Sequence, residues 1–473
     1  MTDLQSSKEV TTAHSQDSTL TAHGKTRDGG VIGWLVVFGS HICHLFFGGA
    51  YQAIGPLFVV IQRHFDETSA RTSWIIAFLA SVEFGLGPLS NVSVKKIGFR
   101  MTVLMGTIIS SAGYFFSAFA PTIEFLYLSI GLAVGIGYAL ILPASIGIIP
   151  HFVKKSFTVA SVLAASGVGV GLFIFPPLLQ ILIDNYGWRG SVIVFSALNA
   201  HMGISAALFR APEEEIPSNV PLEEKAGNAN NLKMNWICIK DTCDLRLMTK
   251  YPTYAVFVFA TTIAVGIGYQ SSPAHLLARA ETKQFASITA ISLLVSIFGL
   301  ATMIGRLLIP IVLLLTKKFT TSIKTYAFAL FLSGLCNLFS PLAMNYETYT
   351  AYAFFYGIFI GLHLGMQPQI ALDVLGPEMV TAGTGILTFF MAIGALIGPP
   401  IGGYIYDVTG NYDNSFYFYG SLLCFGGLVM FVSEPFTNRL QRKAEGATSV
   451  TMDDLGCSEV YLVEVATQTG VIS

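Results

Sequence analysis

Two charged side chains stand where charge is costly. Arg306 lies deep inside the apolar run SITAISLLVSIFGLATMIGRLLIPIVLLL, and Glu83 lies midway along SWIIAFLASVEFGLGPLSN. A guanidinium at bilayer depth costs at least about 2.5–3.5 kcal/mol on insertion scales, so it needs a partner or a water-filled cavity. Its planar fork of donors suits a carboxylate, and the chemistry it offers is anion recognition rather than bond breaking. If Glu83 pairs with Arg306, a substrate carboxylate would have to compete for the guanidinium. If it does not, burial makes Glu83 a candidate proton carrier, with helix-to-helix glue as the plainer reading. His41 and His44 are three residues apart on one helical face, and His363 lies in another apolar run; all three are candidates for proton-linked steps. Gln367 and Gln369 flank Pro368, where a kink would free carbonyls for substrate or water.

The elements that must position these groups follow from composition. The chain has 473 residues, of which 53% are hydrophobic and 11% charged. Its mean hydropathy is +0.63. Soluble domains carry about 25% charged residues, so most of this chain belongs in lipid. The apolar runs predict twelve spans, near 31–60, 70–93, 102–119, 123–148, 157–183, 190–209, 252–277, 287–315, 323–343, 347–374, 379–405 and 415–433. The polar stretch 210–250 divides them six and six as a linker, and residues 1–30 and 434–473 are polar tails. The expected fold is thus an all-α membrane protein of two six-helix halves, 31–209 and 251–433. About 20 of the 26 Lys and Arg residues fall on one set of loops, which places both termini and the linker in the cytoplasm. A net charge of −2 argues against a nucleic-acid partner. The six cysteines are scattered; Cys238 and Cys243 have no further ligand to complete a metal site, and no cofactor or enzyme motif is present. The sequon Asn91-Val92-Ser93 falls on the cytoplasmic side, so no N-glycan is expected.

The halves look duplicated. Pro176-Pro177, Asp184 and Gly187 recur as Pro399-Pro400, Asp407 and Gly410, and Lys95-Lys96 recur as Lys317-Lys318 at nearly the same offset. That offset carries Arg306 back onto Glu83, so the two deep charges occupy near-equivalent places in the two halves. Glycines recur every fourth residue at 394, 398 and 402 and at 131 and 135, and crowd 167–171, a pattern that lets helices approach and slide.

Longer motifs are more specific. Arg27-Asp28-Gly29-Gly30-Val31-Ile32-Gly33-Trp34 resembles the opening signature of the monocarboxylate transporter family, a branch of the major facilitator superfamily. HFVKKSFTVASVLAASGVGVG, with Lys154-Lys155, resembles its second signature, and 398–420 is similar to the family's eleventh span. The resemblance covers about residues 27–436. It implies alternating-access transport of monocarboxylate-type organic acids across the plasma membrane, with Arg306 as carboxylate anchor and a single-span glycoprotein as an ancillary partner in some members. It also implies gating or folding roles for Asp28, Gly29, Gly30, Trp34, Lys154 and Lys155. Where proton-coupled members carry a span 1 lysine this chain has Gln52, and where they carry an Asp one turn before the arginine it has Thr302. The expected substrate contacts are therefore Arg306, Gln52, Thr302 and Glu83. Facilitated diffusion is favoured, as in branches that move larger or zwitterionic acids, and proton symport is the alternative. A reading of another class is a non-transporting solute sensor acting through its tail, although no signalling motif stands there.

Overall fold

The computed structural model describes residues 29–153, 156–209, 245–270, 272–284, 288–376 and 379–454. Among them every regular element is a helix. Ten helical passes are long and apolar enough to cross a membrane when one bent pair is counted together. Two of the ten reverse at a glycine. Gly98, at φ 79° and ψ 166°, separates the second span from the third inside Gly87–Ser117. Gly187, at φ 67° and ψ 171°, separates the fifth from the sixth inside Phe157–Ala200. An L side chain resists such φ values, so these glycines make hairpins with no loop at all. Resolving both gives the expected twelve spans. Gly410, the counterpart of Gly187, also has positive φ, at 66°, where the eleventh span ends.

Several ends differ from expectation. The first span runs Gly30–Phe65, past the expected 60, and the last helix continues past Pro435 to Asp454, into the segment read as tail. The seventh span is not uniform: Pro252–Thr261 is α-helical, Thr262–Tyr269 is a π-helix, and a further α-helix occupies Ser272–Thr282. It thereby extends beyond 277 and takes in Arg279, which the hydropathy pattern placed in a loop. Such wide turns are frequent at functional sites.

Two arginines tie off helix ends at equivalent places, Arg189 from an exposed position and Arg279 from a buried one. Arg189 donates to the carbonyls of Ala118 (2.9 Å) and Ala120 (2.9 Å), beyond the third span. Arg279 donates to the hydroxyl and carbonyl of Ser340, both at 3.0 Å, beyond the ninth. Arg279 is also paired with Asp413 at 2.7 Å and lies over the rings of Tyr349 and Phe416.

Close approaches decide how the spans pack. The fifth and eighth spans, one from each half, are joined by Ser296, whose hydroxyl donates to the Phe173 carbonyl at 2.7 Å. In the first and fifth spans, within one half, a Cβ on Gly171 would collide with the Leu45 carbonyl and lie 2.6 Å from the Gly49 nitrogen. Backbone cannot yield as a flexible side chain can. Gly171→Leu is therefore expected to abolish assembly, read as loss of the monodisperse peak when detergent extracts are run on a sizing column.

Candidate functional site

At the end of the bundle away from the linker, the halves are stitched together. The second span begins at Ser69, and its first-turn amides need acceptors. Thr68 caps the Arg71 amide at 3.2 Å. Asp407, from the eleventh span, takes the other two, accepting from the Ser69 nitrogen at 2.9 Å and the Ala70 nitrogen at 2.8 Å. Arg63 pairs with Glu281 at 2.6 Å, joining the first and seventh spans. Beneath them, fully buried His275 lies 3.2 Å from the Ser73 hydroxyl and 2.7 Å from the Tyr419 hydroxyl, so it bridges both halves. His275 was not among the sequence candidates. Its partners are 202 and 144 residues away, and nothing local distinguishes it.

Asp407 is exposed, so its two bonds are worth about 1 kcal/mol together, as for a carboxylate at a helix N-terminus. Asp407→Ala should raise the population open on that side about five-fold. The check is labelling of Ser272→Cys, buried in the closed form, with a membrane-impermeant thiol reagent.

Deeper in, Tyr51 of the first span donates to the Gln270 side-chain oxygen at 3.0 Å. Gln270 follows the π-helical segment of the seventh span, and Tyr269 beside it is within electrostatic range of Arg306. Glu83 is within the same range of Tyr51. The Tyr51–Gln270 bond thus joins the first and seventh spans, one from each half.

Arg306 is the hub on its side. One guanidinium nitrogen donates to the Ala165 carbonyl at 3.0 Å, across the junction of the fifth and eighth spans. Its Nε is buried with no hydrogen-bond partner. His44 and His363 both lie within electrostatic range of it. Each donates from Nδ1 to a carbonyl of its own helix, Ser40 at 2.8 Å and Phe359 at 3.0 Å. His363 Nε2 is buried and unpartnered, as is Gln367 Nε2 one turn further on. His41 instead bonds the Leu163 carbonyl of the fifth span at 2.9 Å, tying two helices together.

Other expected residues fall differently. Glu83 does not meet Arg306: among the described residues no ion pair includes either one, and Glu83 Oε2 is buried without a partner. The repeat offset places both at matching depth but does not fix the rotation of the helices that carry them. The Thr302 hydroxyl is turned back onto its own helix, bonding the Phe298 carbonyl at 2.8 Å. Gln369 is occupied with Asp373 at 2.7 Å, away from the hub. The described part of the opening motif is a helix entry: Gly29 and Gly30 have φ of 82° and 44°, and Gly29 sits between Trp34 and Val153. Asp28, Lys154, Lys155, Cys238, Cys243 and the Gln52 side chain lie outside the described residues. No group of three metal-ligating side chains occurs among the described residues.

A family model described as Major Facilitator Superfamily matches residues 41–277 and again 253–466. The chain belongs to the major facilitator superfamily. Curated proteins named as monocarboxylate transporters are similar to it over most of its length. Monocarboxylate transporter 12-B of Danio rerio is 26% identical over 438 residues, covering 85% of this chain and 87% of that protein. Monocarboxylate transporter 1 of Bos taurus is 27% identical over 450 residues, covering 90% and 89%. Among solved structures, a point mutant of the nucleoside transporter NupG superposes with a TM-score of 0.65 at 14% identity, covering 85% of this chain and 100% of that one. That likeness concerns fold alone. This member of the superfamily is a multi-pass membrane protein and a membrane transporter.

Proposed function

We propose that this chain carries monocarboxylate-type organic acids across the plasma membrane by alternating access, with both termini in the cytoplasm and Arg306 anchoring the substrate carboxylate. The observation that carries this reading is the Arg306 guanidinium: it sits within a span, it has no carboxylate partner among the described residues, and its Nε is buried and unpaired. A substrate carboxylate supplies the missing acceptor. The stitched end opposite the linker supports an inward-facing resting state, and the Lys/Arg bias of the loops supports the orientation. Facilitated diffusion is the favoured mode. The position one turn before Arg306 is Thr302, whose hydroxyl is committed to its own helix and cannot carry a proton at working pH.

Proton symport is the second reading, and unpaired Glu83 is what favours it. Uptake of labelled carboxylates in oocytes, with intracellular pH recorded, tests both. Uptake without acidification is the expected result. Uptake with acidification that Glu83→Gln abolishes would establish symport, and undiminished uptake in Arg306→Ala would overturn the site.

A further inference from the structure

His275 is buried at the seam between the halves, and carriage of a carboxylate on Arg306 gives it no role. Its hydrogen bonds fix which nitrogen carries the proton. The Ser73 hydroxyl donates to the Ser69 carbonyl at 2.7 Å, so toward His275, at 3.2 Å, it can only accept. His275 Nε2 is therefore the N–H. Nδ1 of the neutral ring is then bare, and it accepts from the Tyr419 hydroxyl at 2.7 Å. One neutral tautomer thus closes the seam, held by the twelfth span on one nitrogen and donating to the second span from the other.

A second proton has no place there. It would sit on Nδ1, where the Tyr419 O–H points. The rings of Phe58, Tyr412 and Tyr419 surround the imidazole, with centroids 5.5, 5.3 and 6.0 Å away. The carboxylates of this end are engaged with others. Asp407 of the eleventh span takes the amides of 69 and 70, Asp413 of the twelfth holds Arg279 and Lys283, and Glu281 holds Arg63 of the first. Of the other titratable groups nearby, Tyr349 donates to the Leu276 carbonyl at 3.1 Å, Tyr406 stacks on Tyr412, and His64 packs on Trp188. The outer part of the eighth span, 288–300, packs on the same helix and carries no titratable side chain. Among the described residues no ion pair includes His275. An imidazolium sealed in this place would exchange its water for two hydroxyls and three rings.

His275 and Ser73 belong to different halves, so opening this end parts them and lets water reach the ring. An imidazole in water takes up a proton near about pH 6.5. We propose that His275 is a proton-operated lock on the gate at the end away from the linker. Acid outside favours the outward-open form, and the proton returns to the outside solution before the seam recloses. External acid then speeds uptake although no proton crosses. The lock rests on the orientation and the carrier reading given above and adds a control to them.

The test is labelling of Ser272→Cys, buried in the closed form, by a membrane-impermeant thiol reagent outside oocytes expressing the full chain. It is run at about pH 7.5 and about pH 5.5, one unit either side of the imidazole value. Each rate is divided by that of Met344→Cys, 78% exposed at the same end, which removes the titration of the thiol itself. With His275 present, the divided rate should rise about 10-fold at the lower pH. In His275→Gln, whose amide can still donate to Ser73 and accept from Tyr419, it should not change. Uptake of labelled carboxylate by wild type should rise at the lower pH with no intracellular acidification. A divided rate that stays flat with His275, or rises equally in His275→Gln, overturns the lock and leaves the carrier reading in place. Acid-stimulated uptake that acidifies the cell and persists in His275→Gln does the same. The protein with His275 can overturn the lock alone, so misfolding of the variant does not shelter it. Labelling of Met344→Cys but never of Ser272→Cys overturns both, since this end then does not open.

Discussion

Arg306→Ala is expected to cut carboxylate uptake by about 30-fold or more, at unchanged surface level. Truncating one partner of a buried, hydrogen-bonded charge pair costs about 2–5 kcal/mol, and each 1.4 kcal/mol is a factor of ten in affinity. The geometry is the reason to expect this loss in transport rather than in folding. Among the described residues Arg306 makes one direct hydrogen bond, to the Ala165 carbonyl, while its Nε remains unsatisfied. Removing the side chain therefore relieves a buried donor as much as it breaks a contact. Arg306→Lys should fall between wild type and alanine, because an ammonium keeps the charge but loses the planar two-point grip. Uptake at a series of substrate concentrations would show the effect mainly in the half-saturating concentration. A fall in surface protein that matched the fall in uptake would instead assign Arg306 to assembly.

Arg279→Ala should produce the opposite pattern, a collapse of stability. The Arg279 side chain is 1% exposed and Asp413 12%. Its guanidinium serves Asp413, the Ser340 hydroxyl and the Ser340 carbonyl, and it packs on two rings. Breaking a buried pair by removing one member costs about 3–5 kcal/mol, a large share of the roughly 5–15 kcal/mol that holds a typical protein folded. Lys283 approaches the same carboxylate at 2.8 Å from a 37%-exposed position, and Lys283→Ala should cost no more than about 1 kcal/mol. Melting of the detergent-solubilised protein, followed by intrinsic fluorescence, separates the two. Equal melting points for both variants would show that burial of Arg279 contributes nothing.

How much of this was legible beforehand depends on the range of the interaction concerned. Apolar run length is a local property, and it located all twelve spans; the Gly187 and Gly410 turns sit where the internal repeat puts them. Arg306 was legible as the residue on which the proposed site rests, because hydropathy alone makes a charge there anomalous. Arg279 was not, since a run ending near 277 gives no hint that the helix continues to Thr282 or that Asp413 waits 134 residues later. The separation of Glu83 from Arg306 was hidden for a related reason. A repeat offset predicts matching depth, but contact also depends on helix rotation, which is decided by close approaches such as Gly169 against Met303. His275 carried no signal at all, because Ser73 and Tyr419 become its neighbours only in the assembled bundle.

The Asp407 latch has its two halves written in different materials. On one side is a side chain; on the other are main-chain amides of residues 69 and 70, which every amino acid except proline would supply equally. A side-chain change at 70 therefore leaves its amide half of the latch in place, whereas Ser69 also spends its buried hydroxyl on Tyr412, and the acidic half rests on position 407.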